Sequence, residues 1–196
     1  QLIESIHEIT QAEKAKITES VFGTKDESHP GVSMLSEMGN FLISGDLAIN
    51  NHSYYSEDFP ETFMTAPEIR SRFVQNGFKR VVAFQTRNPM HRAHEELCKI
   101  AMEETQSDAL LIHMLLGRLK QGDIPASVRD EAIRVMVKKY FDQNKVMVSG
   151  YGFDMLYAGP KEALLHAIIR QNCGCSFLII GRDHAGVGDF YQAFEA

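Results

Sequence analysis

From Gly77 onward, short apolar runs alternate with longer segments whose apolar residues recur at helical spacing. Residues 79–85, 109–115, 146–148 and 176–180 read as strands, being short and rich in β-branched residues. Residues 90–104, 125–141 and 160–171 read as the helices between them. The expected core faces are Leu97, Ile100 and Ala101 on the first helix, and Val128, Ala132, Val135 and Met136 on the second. On the third they are Leu164, Leu165, Ile168 and Ile169. Strands separated by helical crossovers imply an α/β domain with a parallel sheet, because a parallel pair needs such a connection. In that architecture ligands sit beyond the carboxyl ends of the strands.

Ahead of Gly77 the pattern changes. Thr65-Ala66-Pro67-Glu68 has the form of a capping box and predicts a short helix over 67–76, stopped by Gly77. The opening residues are helix-like, and 11–21 predicts a further helix. His29-Pro30-Gly31 reads as a turn. Residues 41–50, interrupted by Gly45-Asp46, read as a hairpin or two short strands, and 51–62 as a polar, aromatic linker. Nothing in 1–64 signals chemistry, and there is no internal repeat or low-complexity tract. The chain opens on Gln1 and closes on Phe190, Tyr191 and Phe194 with nothing after them to cover the rings, which reads as a piece of a longer protein.

At 196 residues, 44% hydrophobic and 23% charged, the chain has an ordinary globular composition and is long enough for a substantial core. A formal charge of −6 argues against general nucleic-acid binding, so an anionic ligand must be held by a local pocket. Cys98, Cys173 and Cys175 are few and odd in number, which suits a reducing compartment. The Cys173-Gly174-Cys175 pair lacks a second pair at ligand spacing and reads as buried or incidental thiols. With no signal peptide and no run near the roughly 18 apolar residues of a membrane span, cytoplasm is the default.

The chemistry concentrates where an apolar strand gives way to a helix, at Gln85-Thr86-Arg87-Asn88-Pro89-Met90-His91-Arg92-Ala93-His94. Pro89 suits a helix start. His91 and His94 fall on one side of the first turn, where unpaired N–H groups and the helix dipole favour an anion. Arg87 offers a planar fork of donors for a tetrahedral oxyanion, with Gln85 and Asn88 beside it. A zinc reading of the two histidines lacks a third ligand, so donation to phosphate oxygens is preferred. A second motif, Gly181-Arg182-Asp183-His184-Ala185-Gly186-Val187-Gly188, follows the last strand, and its glycines allow close backbone approach to a ligand. Arg118 and Lys120, after the second strand, are further candidates to meet phosphates, and Tyr157-Ala158-Gly159-Pro160 is expected to shape the site wall. Both principal loops are expected at one rim of the sheet, forming one anion site.

Together with Gly122-Asp123-Ile124-Pro125, these motifs resemble the ATP sulfurylase family over nearly all of the chain. His29-Pro30-Gly31 and Gly45-Asp46 look like that family's region ahead of its catalytic domain. The resemblance implies a Rossmann-like nucleotidyltransferase catalytic domain over 65–196, truncated at its C-terminus. Residues 1–64 would be the C-terminal part of a PUA-like, β-rich domain and a linker. The implied activity is sulfate adenylyltransfer: ATP and sulfate give adenosine 5′-phosphosulfate and pyrophosphate, reversibly, with Mg2+ accompanying ATP. Carried over by motif position, Gln85, Arg87 and the Ala185 backbone hold sulfate. Thr86 and Asn88 place the reacting phosphate, and His91 and His94 contact ATP phosphates. Gly181, Arg182, Asp183 and His184, with Gln85 and Asn88, line the nucleotide side, and no residue is a metal ligand. The implied enzyme is a cytoplasmic homo-oligomer of sulfur metabolism with no nucleic-acid or membrane partner, and part of its adenine pocket lies beyond Ala196.

Two departures and two alternatives accompany this reading. Ala93 stands where many relatives in the wider superfamily carry Gly, and no P-loop signature occurs. Another adenylyl or cytidylyl transferase would use the histidine pair on a different acceptor and would not need Arg87 with Gln85. A non-catalytic nucleotide-binding domain would have no need of His91, His94 or Arg87, all of which are present. Sulfate activation and ATP generation during sulfur oxidation both fit the resemblance.

Overall fold

The computed structural model describes residues 2–48, 54–117 and 122–195, and they group into two compact units that do not follow chain order. One unit comprises Gln1–Tyr54, Leu156–Leu164 and Gly181–Ala196; the other comprises Tyr55–Met155 and Leu165–Ile180.

The second unit carries the α/β sheet. Its strands are β3 (Val81–Thr86), β4 (Ala109–Leu115), β5 (Val146–Tyr151) and β6 (Phe177–Ile179), all parallel, in the order β5-β4-β3-β6. Every side chain of β4 is buried, as a parallel strand covered on both faces requires. On one face Val82, Phe84, Leu110, Ile112 and Met114 pack with Cys98 of α5 (Arg92–Glu104) and with Ile133, Met136 and Val137 of α6 (Ala126–Tyr140). On the other, Ala83, Leu111 and Met147 pack with Ile69 and Phe73 of α4 (Ala66–Gln75) and with Cys173, just beyond α7 (Pro160–Asn172). The α4 capping box forms as the sequence predicts: Glu68 Oε2 accepts from the Thr65 N–H and hydroxyl, both at 2.7 Å. Gly77 follows that helix in the left-handed region at φ +73°.

The expected helix faces need correction. Leu97 and Ile100 on α5, Val128 and Val135 on α6, and Leu164 and Ile168 on α7 are exposed. Met136 is buried as expected and Ala101 packs against the core, but the other buried positions are Glu95 and Cys98, then Arg129, Ile133 and Val137, then Glu162, Ala163, His166 and Arg170. Each helix has apolar residues on two sides, so periodicity alone does not choose between them. The choice falls to buried polar side chains that tether neighbouring backbone. Residues 54–62 are not linker either, because Tyr55, in α3 (Tyr55–Asp58), is buried in the core of this unit and Phe63 bridges to Gly150. Residues 51–53 of that expected linker lie outside the described residues.

In the first unit the opening is a strand, not a helix. β1 (Leu2–Gln11) pairs antiparallel with β2 (Phe41–Ala48), which is one continuous strand. Gly45 does not break it: a Cβ there would stand 1.9 Å from Ser5 O, so glycine allows the two backbones to approach. The expected helix at 11–21 runs as α1 (Lys14–Phe22). His29-Pro30-Gly31, expected as a turn, is the start of α2 (Pro30–Glu37). His29 is its cap and is fully buried, with Nδ1 accepting from Gly31 N–H at 3.0 Å and Val32 N–H at 3.4 Å. Its Nε2 lies 3.0 Å from Tyr157 O and 3.1 Å from Tyr191 Oη. An acceptor at Nδ1 and a backbone carbonyl at Nε2 define the neutral Nε2–H tautomer.

Burial lowers the His29 pKa, with the Tyr157 carbonyl opposing. The unfolded chain, near 6.5, therefore takes up the proton first, so His29's contribution is complete above about pH 6.5 and is lost as pH falls below it. We expect the urea midpoint to drop between pH 7.5 and 5.5. His29→Asn, which keeps a capping acceptor but does not titrate, should cost about 1–3 kcal/mol at pH 7.5 and make that drop smaller. An undiminished drop would exclude His29 as a source of acid sensitivity.

Candidate active site

The chain leaves β3 through a tight, locked loop. The Thr86 hydroxyl donates to Asn88 O at 2.6 Å and accepts from Asn88 N–H at 3.1 Å. Met90 then buries in the core, anchoring the start of α5 from below. His91 is the extended residue before the helix and His94 lies in its first turn, so both sit at the helix N-terminus. Their rings stack at 3.9 Å between centroids. The His91 N–H points at His94 Nδ1 at 3.4 Å, which puts the His94 proton on Nε2 as a donor. His94 also lies against the Phe84 ring at 5.3 Å. Burial first, and His91 second, push its pKa down.

Arg87 stands at the same rim, its side chain 29% exposed, with Nη1 3.9 Å from Asp123 Oδ2. That separation is longer than a charge-assisted hydrogen bond, which measures about 2.7–2.9 Å. Asp123 belongs to the Gly122–Pro125 motif that follows β4. What steadies its loop is the buried Arg129, donating from Nε to Ile124 O at 2.9 Å and from Nη1 to Leu115 O at 2.6 Å. Arg129 escapes sequence reasoning because an arginine on an amphipathic helix reads as a solvated face. Arg118 and Lys120 lie outside the described residues.

Gln85 also reaches a residue that sequence reasoning missed. Its Nε2 lies 3.3 Å from Nε2 of the buried His166. Gln85, Arg87, Asn88, His91 and His94 thus gather at the carboxyl end of β3. The buried Glu95 balances this end of α5, pairing with Arg92 at 2.7 Å and with Lys99.

Strand β6 runs beside β3, so both strands end at the same side of the sheet. Just past it, the Gly181–Gly188 segment belongs to the other unit. Ala185 takes φ +57°, a left-handed conformation uncommon for a residue with a Cβ, and its carbonyl accepts from Gly159 N–H at 3.1 Å. Gly159 is required there, since a Cβ would meet the Tyr191 ring at 2.6 Å. Gly181 accepts from His184 N–H at 3.3 Å, closing the turn. Arg182 pairs with its neighbour Asp183 at 3.1 Å, both side chains exposed.

The cysteines carry no disulfide among the described residues, and burial raises all three thiols, Cys98 and Cys175 to about 12. Among the described residues no helix is long and apolar enough to cross a membrane.

Comparison with known proteins agrees with this architecture. The ATP-sulfurylase family model matches residues 60–196, and the PUA-like domain model matches residues 3–52. The sulfate adenylyltransferase of Alcanivorax borkumensis is 62% identical over 99% of this chain and 48% of its own length. That of Allochromatium vinosum is 58% identical over 99% of the chain and 49% of its own length. The chain thus spans about half the length of these curated relatives. A solved structure described as a hexameric APS kinase from Thiobacillus denitrificans aligns with TM-score 0.54 and 28% identity, covering 74% of this chain and 28% of that one. An α/β domain with a four-stranded parallel sheet, a PUA-like region before it and these matches together place the chain in the ATP-sulfurylase family.

Proposed function

We propose that this chain is part of a sulfate adenylyltransferase that joins sulfate to the AMP portion of ATP and releases pyrophosphate, reversibly. The observation that carries the reading is the set of nitrogen donors at the start of α5, with Arg87, His91 and His94 held at one strand end. Sulfate is already deprotonated, so no general base is needed. The task is to hold two repelling anions in line and to neutralise charge on the α-phosphate and the leaving pyrophosphate. In this reading Arg87 and Gln85 receive the sulfate. Thr86 fixes the loop, and Asn88, His91 and His94 donate to phosphate oxygens. No covalent intermediate is required.

Gly181, Arg182, Asp183 and His184 are proposed to contact the nucleotide, and the Ala185 N–H to bind sulfate. The left-handed backbone at Ala185 and the Gly159 bond to its carbonyl support a fixed direction for its peptide groups. Among the described residues no three His, Cys, Asp or Glu side chains cluster to hold a metal, so the donor set does not fit a resident ion. Mg2+ is proposed to arrive on the ATP phosphates, and no step above depends on it. Free thiols kept protonated by burial support a cytoplasmic setting, and a homo-oligomer is proposed on the resemblance.

In a full-length enzyme carrying this segment, Arg87→Ala should lower both adenosine phosphosulfate synthesis and reverse ATP formation about 100-fold or more, as loss of two charge-assisted bonds implies. Near-normal rates would rule out the sulfate role, and competition by selenate and molybdate checks the oxyanion class. His94→Ala should reduce turnover roughly 10–100-fold with little change in the urea midpoint. Unchanged turnover would mark a structural histidine.

His94 titration gives an independent check. Its pKa is lowered in the free protein, and a bound triphosphate favours the protonated ring. Nucleotide binding should therefore take up protons near pH 6–7, seen by calorimetry in buffers of different ionisation heat. His94→Ala should reduce that uptake.

A further inference from the structure

Behind the β3 loop, Gln85 meets a group of buried polar side chains that the reaction above does not use. Gln85, His113 and Ser149 align in one row across β3, β4 and β5, so they share a sheet face. Helix α7 sets His166 and Arg170, one turn apart, among them, only 2% and 1% exposed. Arg170 lies over the Tyr151 ring at 4.2 Å and donates from Nη1 to His166 O at 3.2 Å. Its Nε and Nη2 have no hydrogen-bond partner among the described residues, so no carboxylate answers this buried charge through them.

The Gln85 amide hangs on one contact. Nε2 lies 3.3 Å from His166 Nε2, while Oε1 is buried without a hydrogen-bond partner among the described residues. Two nitrogens bond only when one carries the proton and the other a lone pair. With the amide nitrogen turned to the ring, His166 Nε2 is the acceptor, and the imidazole is neutral.

We propose that His166 is a positioning residue for the oxyanion: it accepts one Gln85 N–H and so aims the other, while the buried charge of Arg170 keeps that imidazole neutral. This rests on the assignment of Gln85 to sulfate. A protonated His166 donates from Nε2, draws Gln85 Oε1 to itself and turns the amide by half a turn, carrying the aimed N–H away. Charged and titratable groups face His166 from α7, β5 and β4, and Arg170 is the one that favours its neutral form. Arg170 is on its own helix, and Tyr151 on β5 has its ring centroid 6.5 Å away. His113 on β4 packs on Tyr151 at 4.6 Å, and burial with Arg170 holds it well below the ordinary histidine range. Cys173, just past α7, is kept a neutral thiol chiefly by burial. Glu162, one turn earlier on α7, accepts from the N–H groups of Leu156 and Ala158, and its carboxylate opposes Arg170.

The test uses the full-length enzyme and follows the KM values for sulfate and ATP separately. His166→Leu should raise the sulfate KM about 10-fold or more and leave the ATP KM within about twofold, and His166→Gln, which presents an amide acceptor, should restore most of the loss. Arg170→Met should keep a near-normal sulfate KM at pH 8.5 and raise it severalfold at pH 6.0, a change absent from the parent enzyme. The proposal is overturned if His166→Leu moves both KM values together or neither, or lowers kcat only in proportion to lost folded protein. An Arg170→Met profile that parallels the parent overturns it too. Gln85→Ala separates the two levels: an unchanged sulfate KM there defeats the sulfate assignment itself. A raised one, with His166→Leu silent, defeats only the positioning role.

Discussion

The two-way hydrogen bond between the Thr86 hydroxyl and the Asn88 backbone is the contact on which the candidate site depends. It folds the chain out of β3 within two residues, so that Pro89 and Met90 enter α5 at a fixed angle. Without that turn Arg87 would continue the strand and His91 would lie beyond the rim. A site built from donors alone tolerates little looseness, because each hydrogen bond weakens steeply with angle and its strength depends on preorganisation. The protein meets this demand with covalently short loops fastened at both ends, by a buried core residue on one side and a backbone bond on the other.

Buried charged residues serve the same end elsewhere in the α/β unit. Arg129 ties the loop after β4 to the last carbonyl of that strand, and Arg170 ties its own helix turn while facing an aromatic ring. Burying a guanidinium is costly unless its hydrogen bonds are met, so these positions trade stability for the exact placement of backbone. These tethers share the inward faces with apolar residues such as Ile133, Val137 and Ala163, while Leu97, Val128 and Leu164 fall on the outer side.

Much of the α/β unit was legible in the sequence because its signals are local. The all-buried strand Ala109–Leu115 reads directly as a continuous apolar run, and the Thr65–Glu68 box declares its helix. The β3 loop was legible because Pro89 and the histidine pair mark a helix start. What could not be read depends on distant partners. His29 looks like part of a turn until Tyr157 and Tyr191, more than a hundred residues on, meet its ring. Gly45 looks like a break until Ser5 is laid against it. His166 shows its relation to Gln85 only after the crossover brings α7 under the sheet.

The thiols have one further consequence. With Cys98 and Cys175 raised to about 12, only about one thiol in ten thousand or fewer is ionised near neutral pH. The ionised thiol is the form that attacks peroxides and polysulfides, so these two cysteines present almost no nucleophilic sulfur to them. The fold can thereby keep cysteine in its core without offering a thiolate for oxidation.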